Sequence, residues 1–141
     1  MEPVFDLEDA SEHYDLYQTH WWFAEREMND LALALEHSDE VIGLRDATGR
    51  LVASARVITD YVFTGKILDV IVDAEVRGEG IGTRLMIEIT DHPRLRDIEE
   101  LTLNCRAGVV PFYETCGFRV HEMIAAHERG EGEAYYVMVH R

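Results

Sequence analysis

The sequence predicts one mixed α/β domain that spans residues 1–141. A chain of 141 residues is long enough to bury one sizeable hydrophobic core. Stretches in which apolar residues alternate are interspersed with stretches in which they recur every three or four positions, so strands and helices follow one another. Segment 67–89 shows both patterns in succession: a β-branched run, three glycines and an amphipathic helix.

The elements predicted for the N-terminal half are a strand at residues 4–7, helices at 8–19 and 25–36, and strands at 41–45 and 51–59. Residues 46–49 have the composition of a turn, so the strands on either side of them form a hairpin. Thr64 and Gly65 are expected to break the chain before a central strand that runs from Ile67 to Val72.

The C-terminal half begins with the helix that follows the glycines. This helix is predicted to run from Ile81 to Thr90 or Asp91, and Pro93 stops it. The remaining predicted elements are a strand at 101–105, a short helix at 109–115 that Gly117 ends, and strands at 118–124 and 134–140 joined through residues 129–132. This order of elements is that of a mixed α/β domain.

Residues 77–83 read Arg-Gly-Glu-Gly-Ile-Gly-Thr and connect the central strand to this helix. Glycines let backbone N–H groups approach a ligand closely, and the helix start adds the positive end of its dipole, so a phosphate or pyrophosphate is favoured there. The loop lacks the Gly-Lys-Ser/Thr ending of a nucleotide P-loop and the glycine spacing of a dinucleotide fingerprint. A glycine-rich turn without a ligand is the alternative.

The chain carries 13 basic and 28 acidic residues, which gives a net charge of −15. This balance argues against nucleic acid as a partner, because a phosphate backbone needs a basic surface. An ordinary solvated surface and a salt-loving (halophilic) source both account for this negative charge. The presence of a single lysine, Lys66, is compatible with a halophilic source. In that case thermal stability should rise with salt, since salt screens the repulsion between like charges.

Cysteine usage and hydropathy exclude further classes of protein. Cys105 and Cys116 are not spaced as metal ligands and are too few for a disulfide scaffold, so both are interpreted as reduced and no metal is expected. No apolar run reaches about 18 residues, so no membrane partner is expected. The N-terminus lacks a signal-peptide pattern, which predicts a cytoplasmic protein. The oligomeric state stays open, with a homodimer among the options.

Two motifs resemble a known family. Arg77-x-x-Gly80-x-Gly82 is similar to the acetyl-coenzyme A loop of the GNAT superfamily of N-acetyltransferases, and residues 111–118, Pro-Phe-Tyr-Glu-Thr-Cys-Gly-Phe, resemble its FYExxGF segment. The predicted element order agrees with that family as well. The resemblance covers residues 41–121 well and implies the GNAT fold, a mixed, mostly antiparallel sheet of six to seven strands flanked by about four helices.

Within the superfamily, the chain resembles two groups. Residues 65–72 and 110–113 are similar to glucosamine-6-phosphate acetyltransferases, but Leu68 stands where that group carries an acid. Residues 21–26, together with 38–39 and 55–57, resemble small prokaryotic GNAT proteins that mostly lack an assigned acceptor. The second group is favoured.

The resemblance implies transfer of the acetyl group of acetyl-coenzyme A, the cosubstrate, to a primary amine of a small acceptor by direct attack in a ternary complex. An amide near Ile71 would polarise the acetyl carbonyl. Asn104 would bind the cofactor arm or a water, or else bond locally as a strand-end residue. The full set implied to bind the coenzyme is Val70, Ile71, Val72, Arg77, Gly78, Gly80, Ile81, Gly82, Thr83 and Asn104.

Tyr113 and Asp69 are the residues implied to be catalytic. Tyr113 is the candidate general acid for the thiolate leaving group, whose parent thiol has a pKa of about 8.5. On its helix, Phe112 and Phe118 are expected to pack inward while Tyr113 points elsewhere. The alternative is a core tyrosine. Asp69 is the candidate base, since burial would raise its pKa. Its alternatives are a structural pair with an arginine such as Arg56 and a base that acts through water.

Trp21, Trp22 and Arg26 lie in the segment that lines the acceptor site in this family. An aromatic wall with one cation suits a small amine that also bears an anion, although the two tryptophans also suit a packing role. Two further functions stay open: a module that binds or senses acyl-coenzyme A without turnover, and a structural interaction domain.

Overall fold

The computed structural model describes residues 1–4, 10–20, 25–124 and 134–141. The strands of these residues are β1 (Glu2–Val4), β2 (Glu40–Arg45), β3 (Leu51–Thr59), β4 (Thr64–Val72), β5 (Glu100–Arg106), β6 (Arg119–Ile124) and β7 (Tyr135–His140). The α-helices are α1 (Ala10–Tyr17), α2 (Met28–Glu36), α3 (Ile81–Thr90) and α4 (Val110–Thr115), and 3-10 helices cover Ala74–Val76 and Ala107–Val109. None of the described helices combines the length and the apolar character that a membrane span requires.

The strands of the described residues form one sheet in the order β1-β2-β3-β4-β5-β7-β6. Neighbouring strands are antiparallel except for β4 and β5, which run parallel. The predicted mixed, mostly antiparallel sheet of six to seven strands with about four helices is therefore confirmed.

Helices cover the sheet from two sides. On one side α3 buries Leu85 and Ile89 in the main core. On the other side Leu16 of α1 and Leu31 of α2 pack with Ile71 of β4 in a second, smaller cluster. Burying one such side chain contributes about 1.5–3 kcal/mol. Strand β4 is thus held from both faces, which fixes the position of the residues at its end.

Strands β4 and β5 pair over only part of their length. Residues 64–66 are in register with residues 100–102, whereas β4 continues to Val72 and β5 continues to Arg106. The two parallel strands therefore diverge towards their carboxyl ends. Ligands in α/β sheets bind beyond the carboxyl ends of parallel strands, so this opening is the natural place to look for a site.

Strand β4 also contains a β-bulge. Ser54 pairs with Ile71 and Arg56 pairs with Leu68, so Asp69 and Val70 together face a single residue of β3. The φ angle of Asp69 is 54°, in the left-handed region. Aspartate tolerates this region better than the β-branched residues around it, and a bulge re-aims the side chain and the peptide groups next to it.

The break expected at Thr64 and Gly65 is wrong, because both residues lie inside β4. A Cβ atom on Gly65 would lie 2.7 Å from a side-chain carbon of Leu101. Glycine is present here because β4 and β5 approach closely, a reason that the local sequence does not reveal.

The other boundaries agree with the predictions within a few residues, except at the N-terminus. The described part of the first strand is Glu2–Val4, and residues 5–7 of the strand expected at 4–7 lie outside the described residues. Helix α2 begins at Met28 instead of residue 25. The predicted start of α1 and the 129–132 connection lie outside the described residues.

Candidate active site

The glycine loop leads from the end of β4 into α3 through two left-handed residues. Gly78 and Gly80 have φ angles of 86° and 79°, a region that side chains disfavour. Gly80 is the N-cap of α3, and none of the described side chains caps that end. The first helical hydrogen bond runs from the N–H of Arg84 to the carbonyl oxygen of Gly80, at 3.1 Å. The amides of residues 81–83 come before it, as at the start of any helix, and are available to an anion.

Gly82 is required for a different reason. A Cβ atom at this position would lie 3.1 Å from the Phe112 ring of α4 and 3.7 Å from a methyl group of Val72. Gly82 therefore lets the first turn of α3 pack tightly between α4 and the end of β4. The three predicted loop glycines thus serve two purposes, backbone conformation at Gly78 and Gly80 and close packing at Gly82.

His20 is a site residue that sequence reasoning missed. Its Nε2 donates to the carbonyl oxygen of Val72 at 2.8 Å, and Nη2 of Arg77 lies 2.8 Å from Nδ1, which accepts from it. Burial, followed by the nearby charges of Arg77 and Arg106, lowers the pKa of His20 although the Val72 contact opposes the shift. The imidazole is therefore neutral at pH 7. Its only sequence signal was its position beside two tryptophans.

The backbone groups at the end of β4 alternate between β3 and the opening. The N–H of Asp73 donates to Val52 of β3 at 2.8 Å, so the polar groups of Val72 point the other way, as the His20 contact also shows. By the same alternation, Ile71 faces β3 and Val70 faces the opening. The side chain of Ile71 is buried, and those of Val70 and Val72 pack against the main core.

Asp69 and two arginines form an ion triad on the face of the sheet that carries α1 and α2. Nη1 and Nη2 of Arg26 donate to the Asp69 carboxylate at 2.6 and 3.0 Å. Nε of Arg56 donates to the same carboxylate at 2.8 Å. The structure thus brings together Asp69, Arg26 and the Arg56 that sequence reasoning had named as an alternative partner, while Trp21 and Trp22 lie outside the described residues.

The expected rise in the pKa of Asp69 is wrong. Burial does favour the protonated form, but the hydrogen bonds and charges of Arg26 and Arg56 outweigh it and lower the pKa. Asp69 is therefore a weaker base than a free carboxylate, and its pairing with Arg56 matches the structural alternative. Burial and the Asp69 charge raise the pKa of the neighbouring Tyr17, so its phenol stays neutral.

Tyr113 lies inside the main core, and the expectation that it points elsewhere is wrong. Its side chain is 8% exposed and packs edge-on against Phe112 and Phe118, with ring centroids 5.0 and 6.1 Å away. Burial, followed by the nearby thiols of Cys105 and Cys116, raises its pKa. The ring of Tyr113 therefore packs as the core-tyrosine alternative predicted. Its hydroxyl stays protonated and makes no hydrogen bond to any described residue.

Asn104 and Lys66 connect β5 to β4 where the main-chain pairing ends. Nζ of Lys66 donates to Oδ1 of Asn104 at 2.6 Å, and burial lowers the pKa of Lys66. Asn104 thus has a cross-strand partner in addition to its expected role at the cofactor. Within the part of the chain that the structure describes, no group of His, Cys, Asp and Glu residues could hold a metal ion.

Comparisons with known proteins identify the family. The family model described as the acetyltransferase (GNAT) family matches residues 3–118. Glucosamine 6-phosphate N-acetyltransferase 1 of Oryza sativa subsp. japonica is 37% identical over 78 residues, which cover 51% of this chain and 47% of that protein. The chain spans about half the length of the two glucosamine 6-phosphate N-acetyltransferases that it matches.

Solved structures match over almost the whole chain. The ribosomal-protein-S18-alanine N-acetyltransferase from Escherichia coli has a TM-score of 0.81 at 19% identity, covering 99% of this chain and 93% of that one. An aminoglycoside 6′-N-acetyltransferase complexed with coenzyme A has a TM-score of 0.82 at 14% identity, covering 99% and 96%. At such low identity these likenesses show the fold, and the fold is the one predicted.

The ion triad yields a stability prediction. Asp69→Asn keeps a residue that tolerates the left-handed bulge but leaves two arginines without their carboxylate, so the free energy of unfolding at pH 7 should fall by about 3 kcal/mol. The folded-state pKa of Asp69 is depressed, so its contribution is present above the unfolded pKa and is lost as pH falls through the folded value. The gap between wild type and variant should therefore narrow below about pH 4.

Urea unfolding from pH 3 to pH 7 measures this gap. Asp97→Asn is the matched control, because Asp97 is an exposed aspartate that forms no ion pair with any described residue. Its effect should be small at every pH. Equal stability of wild type and Asp69→Asn at pH 7, or a gap that widens on acidification, contradicts the account.

Proposed function

The chain belongs to the acetyltransferase (GNAT) family, and we propose that it transfers the acetyl group of acetyl-coenzyme A to a primary amine of a small acceptor. The observation that carries this proposal is the opening between β4 and β5, which begins beyond residues 66 and 102 and ends at the glycine loop. A structural neighbour solved with coenzyme A supports the choice of cosubstrate.

The glycine loop binds the pyrophosphate in this proposal. The amides of residues 78–83 and the dipole of α3 supply partners for its negative charge. Arg77 donates a hydrogen bond to His20 in the free protein. Its side chain is long enough for the guanidinium to turn to a phosphate once the cofactor is bound. The donors of this loop are backbone amides and one guanidinium, which suits an anion.

The cofactor arm adds to the free edge of β4 like an extra strand. Val70 and Val72 present their backbone groups to the opening, so the amide of Val70, next to Ile71 and inside the bulge, is the donor that polarises the acetyl carbonyl. His20 occupies the carbonyl oxygen of Val72 in the free protein. His20 must give up this contact if the arm pairs there.

The acceptor amine attacks the polarised carbonyl directly, and the thiolate of coenzyme A leaves. The Tyr113 hydroxyl donates a hydrogen bond to that thiolate and passes its proton to the sulfur, and the proton that the acylated nitrogen releases restores the phenol. Asp69, with its lowered pKa, is a poor base, so the ammonium of the acceptor loses its proton to water. Reaction through a covalent enzyme intermediate is not needed for any of these steps.

Substitution of the loop tests the cofactor site. Acetyl-coenzyme A should bind wild type with a micromolar dissociation constant, about −8 kcal/mol. Gly80→Asp adds a side chain in the left-handed region and a charge that repels the pyrophosphate, so affinity should fall at least about 100-fold, which is roughly 2.7 kcal/mol. Isothermal titration calorimetry measures both values.

Gly49→Asp is the matched control for this change. Gly49 has a φ angle of 87° and, like Gly80, open space around its Cβ position, but it lies in the turn between β2 and β3. Both variants thus carry the same backbone strain. Equal affinities in Gly80→Asp and Gly49→Asp would remove the loop from the cofactor site.

Tyr113→Phe tests the acid. Loss of the hydroxyl should lower turnover by about 100-fold with little change in cofactor affinity, because the ring keeps its packing. Thiol release measured with Ellman's reagent gives turnover, and calorimetry gives affinity. Tyr61→Phe serves as the control. Tyr61 lies in the β3–β4 turn, and the substitution removes a hydroxyl that donates a hydrogen bond to Glu40. Unchanged turnover in Tyr113→Phe reduces Tyr113 to a packing residue.

A further inference from the structure

The face of the sheet that carries α1 and α2 collects cations around the proposed acceptor site. Side chains alternate along a strand, and paired residues of neighbouring strands share a face. Arg56 and Ile58 therefore lie on one face, Ile58 pairs with Lys66, and Lys66 pairs with Thr102. The alternation along β5 adds Arg106 to the same face. Arg56, the single lysine and Arg106 thus lie on the same face of the sheet, on the strands that border the opening or neighbour it.

The ion triad on this face is not electrically balanced. Counted over the described residues, it contains two guanidinium groups and one carboxylate, since the neighbouring Tyr17 stays neutral. The side chains of Arg26, Arg56 and Asp69 are 37%, 16% and 8% exposed, so the excess positive charge is partly buried but reachable. In a chain with a net charge of −15, the described residues at this point thus carry more positive than negative charge, and this cationic patch is called the pocket below.

Donors in this pocket remain unused among the described residues. Arg56 contacts Asp69 through Nε alone, and its two Nη groups make no hydrogen bond to a described residue. Lys66 uses one of its three N–H groups for Asn104. Partly buried donors cost free energy when they lack a partner, and a guanidinium edge matches the geometry of a carboxylate or phosphate.

We propose that the acceptor is a small primary amine that bears a carboxylate or phosphate, and that the Nη groups of Arg56 and the ammonium of Lys66 bind this anion. The inference rests on the proposed function and names its substrate class. It moves the anion contact from Arg26, whose two Nη groups are engaged by Asp69, to Arg56 and Lys66.

The same charges assist the chemistry. A cationic surrounding disfavours the ammonium form of the acceptor and so raises the fraction of neutral amine. This effect compensates for the weak basicity of Asp69. The acidic surface of the rest of the chain acts over longer distances, where salt screens it beyond about 8–10 Å. A polyamine, attracted by the surface, is repelled at the pocket itself.

Matched acceptor pairs test the inference. Each pair differs in the anion alone: 2-aminoethyl phosphate against ethanolamine, and β-alanine against β-alaninamide, with spermidine as a polybasic acceptor. The anionic members should show kcat/KM values at least about 10-fold higher in the thiol-release assay, a difference of about 1.4 kcal/mol. Arg56→Met and Lys66→Met should bring this ratio towards one by raising KM for the anionic member.

Control variants separate charge from folding. Arg45 lies on β2 and pairs with Glu12 of α1. Arg45→Met removes this arginine, and the acceptor ratio should not change. Arg56→Lys keeps the charge but loses the paired Nη donors, so it should retain part of the preference. Lys66→Met disturbs no member of the triad, so it tests the anion site even if Arg56→Met does not fold.

A binding measurement covers the case in which no acceptor is turned over. Calorimetric titration of 2-aminoethyl phosphate into protein saturated with coenzyme A should give an affinity that Lys66→Met weakens at least about 5-fold. Failure of acetyl-coenzyme A to bind would contradict the proposed function. The acceptor inference is decided by a different set of results. It is overturned if neutral amines or spermidine are preferred, if the ratio survives both Met variants, or if 2-aminoethyl phosphate does not bind.

Discussion

The carboxylate of Asp69 is the contact on which the rest of the site depends. It lies on a bulged residue with a φ angle of 54° and is held by Arg26 from the segment before α2 and by Arg56 from β3. A bulge in mid-strand and a left-handed aspartate both cost free energy, and a paired, hydrogen-bonded carboxylate offsets that cost. The same contact ties the acceptor side of the molecule to the strand that receives the cofactor, so both proposed ligands meet at one fixed peptide group, the amide of Val70.

The separation of β4 from β5 explains why this fixed point is accessible. Gly65 lets the two strands approach closely where they pair, and beyond Lys66 they diverge, so the edge of β4 is left to other partners. In the free protein His20 is hydrogen-bonded to the carbonyl oxygen of Val72 on this edge and also to the side chain of Arg77. Cofactor binding therefore exchanges one set of polar contacts for another, and the loop cation is already near the place where the phosphates are proposed to bind.

Most of the fold could be predicted from the sequence because its signals are local. The apolar run, the three glycines and the spacing of Ile81 and Leu85 specify a strand, a loop and a helix without reference to the rest of the chain. The pairing of Asp69 with Arg56 was one of the alternatives read from the sequence, but the bulge, the contact with Arg26 and the role of His20 could not be predicted, because they depend on partners far away. Arg26 is 43 residues from Asp69, and His20 is 52 residues from Val72. The direction of the pKa shift of Asp69 was missed for the same reason, since burial was visible in the pattern and the second arginine was not.

The central claim is that acetyl-coenzyme A occupies the opening between β4 and β5 and that the amide of Val70 contacts its acetyl group. Two-dimensional ¹H–¹⁵N NMR spectra recorded with coenzyme A and with acetyl-coenzyme A test it most directly. The account predicts that both ligands shift the amides of residues 78–83 and of Val72, and that the acetyl group adds a further shift at Val70, as expected of a hydrogen bond to its carbonyl. Spectra in which these amides stay unmoved while others shift, or in which Val70 does not distinguish the two ligands, would contradict it.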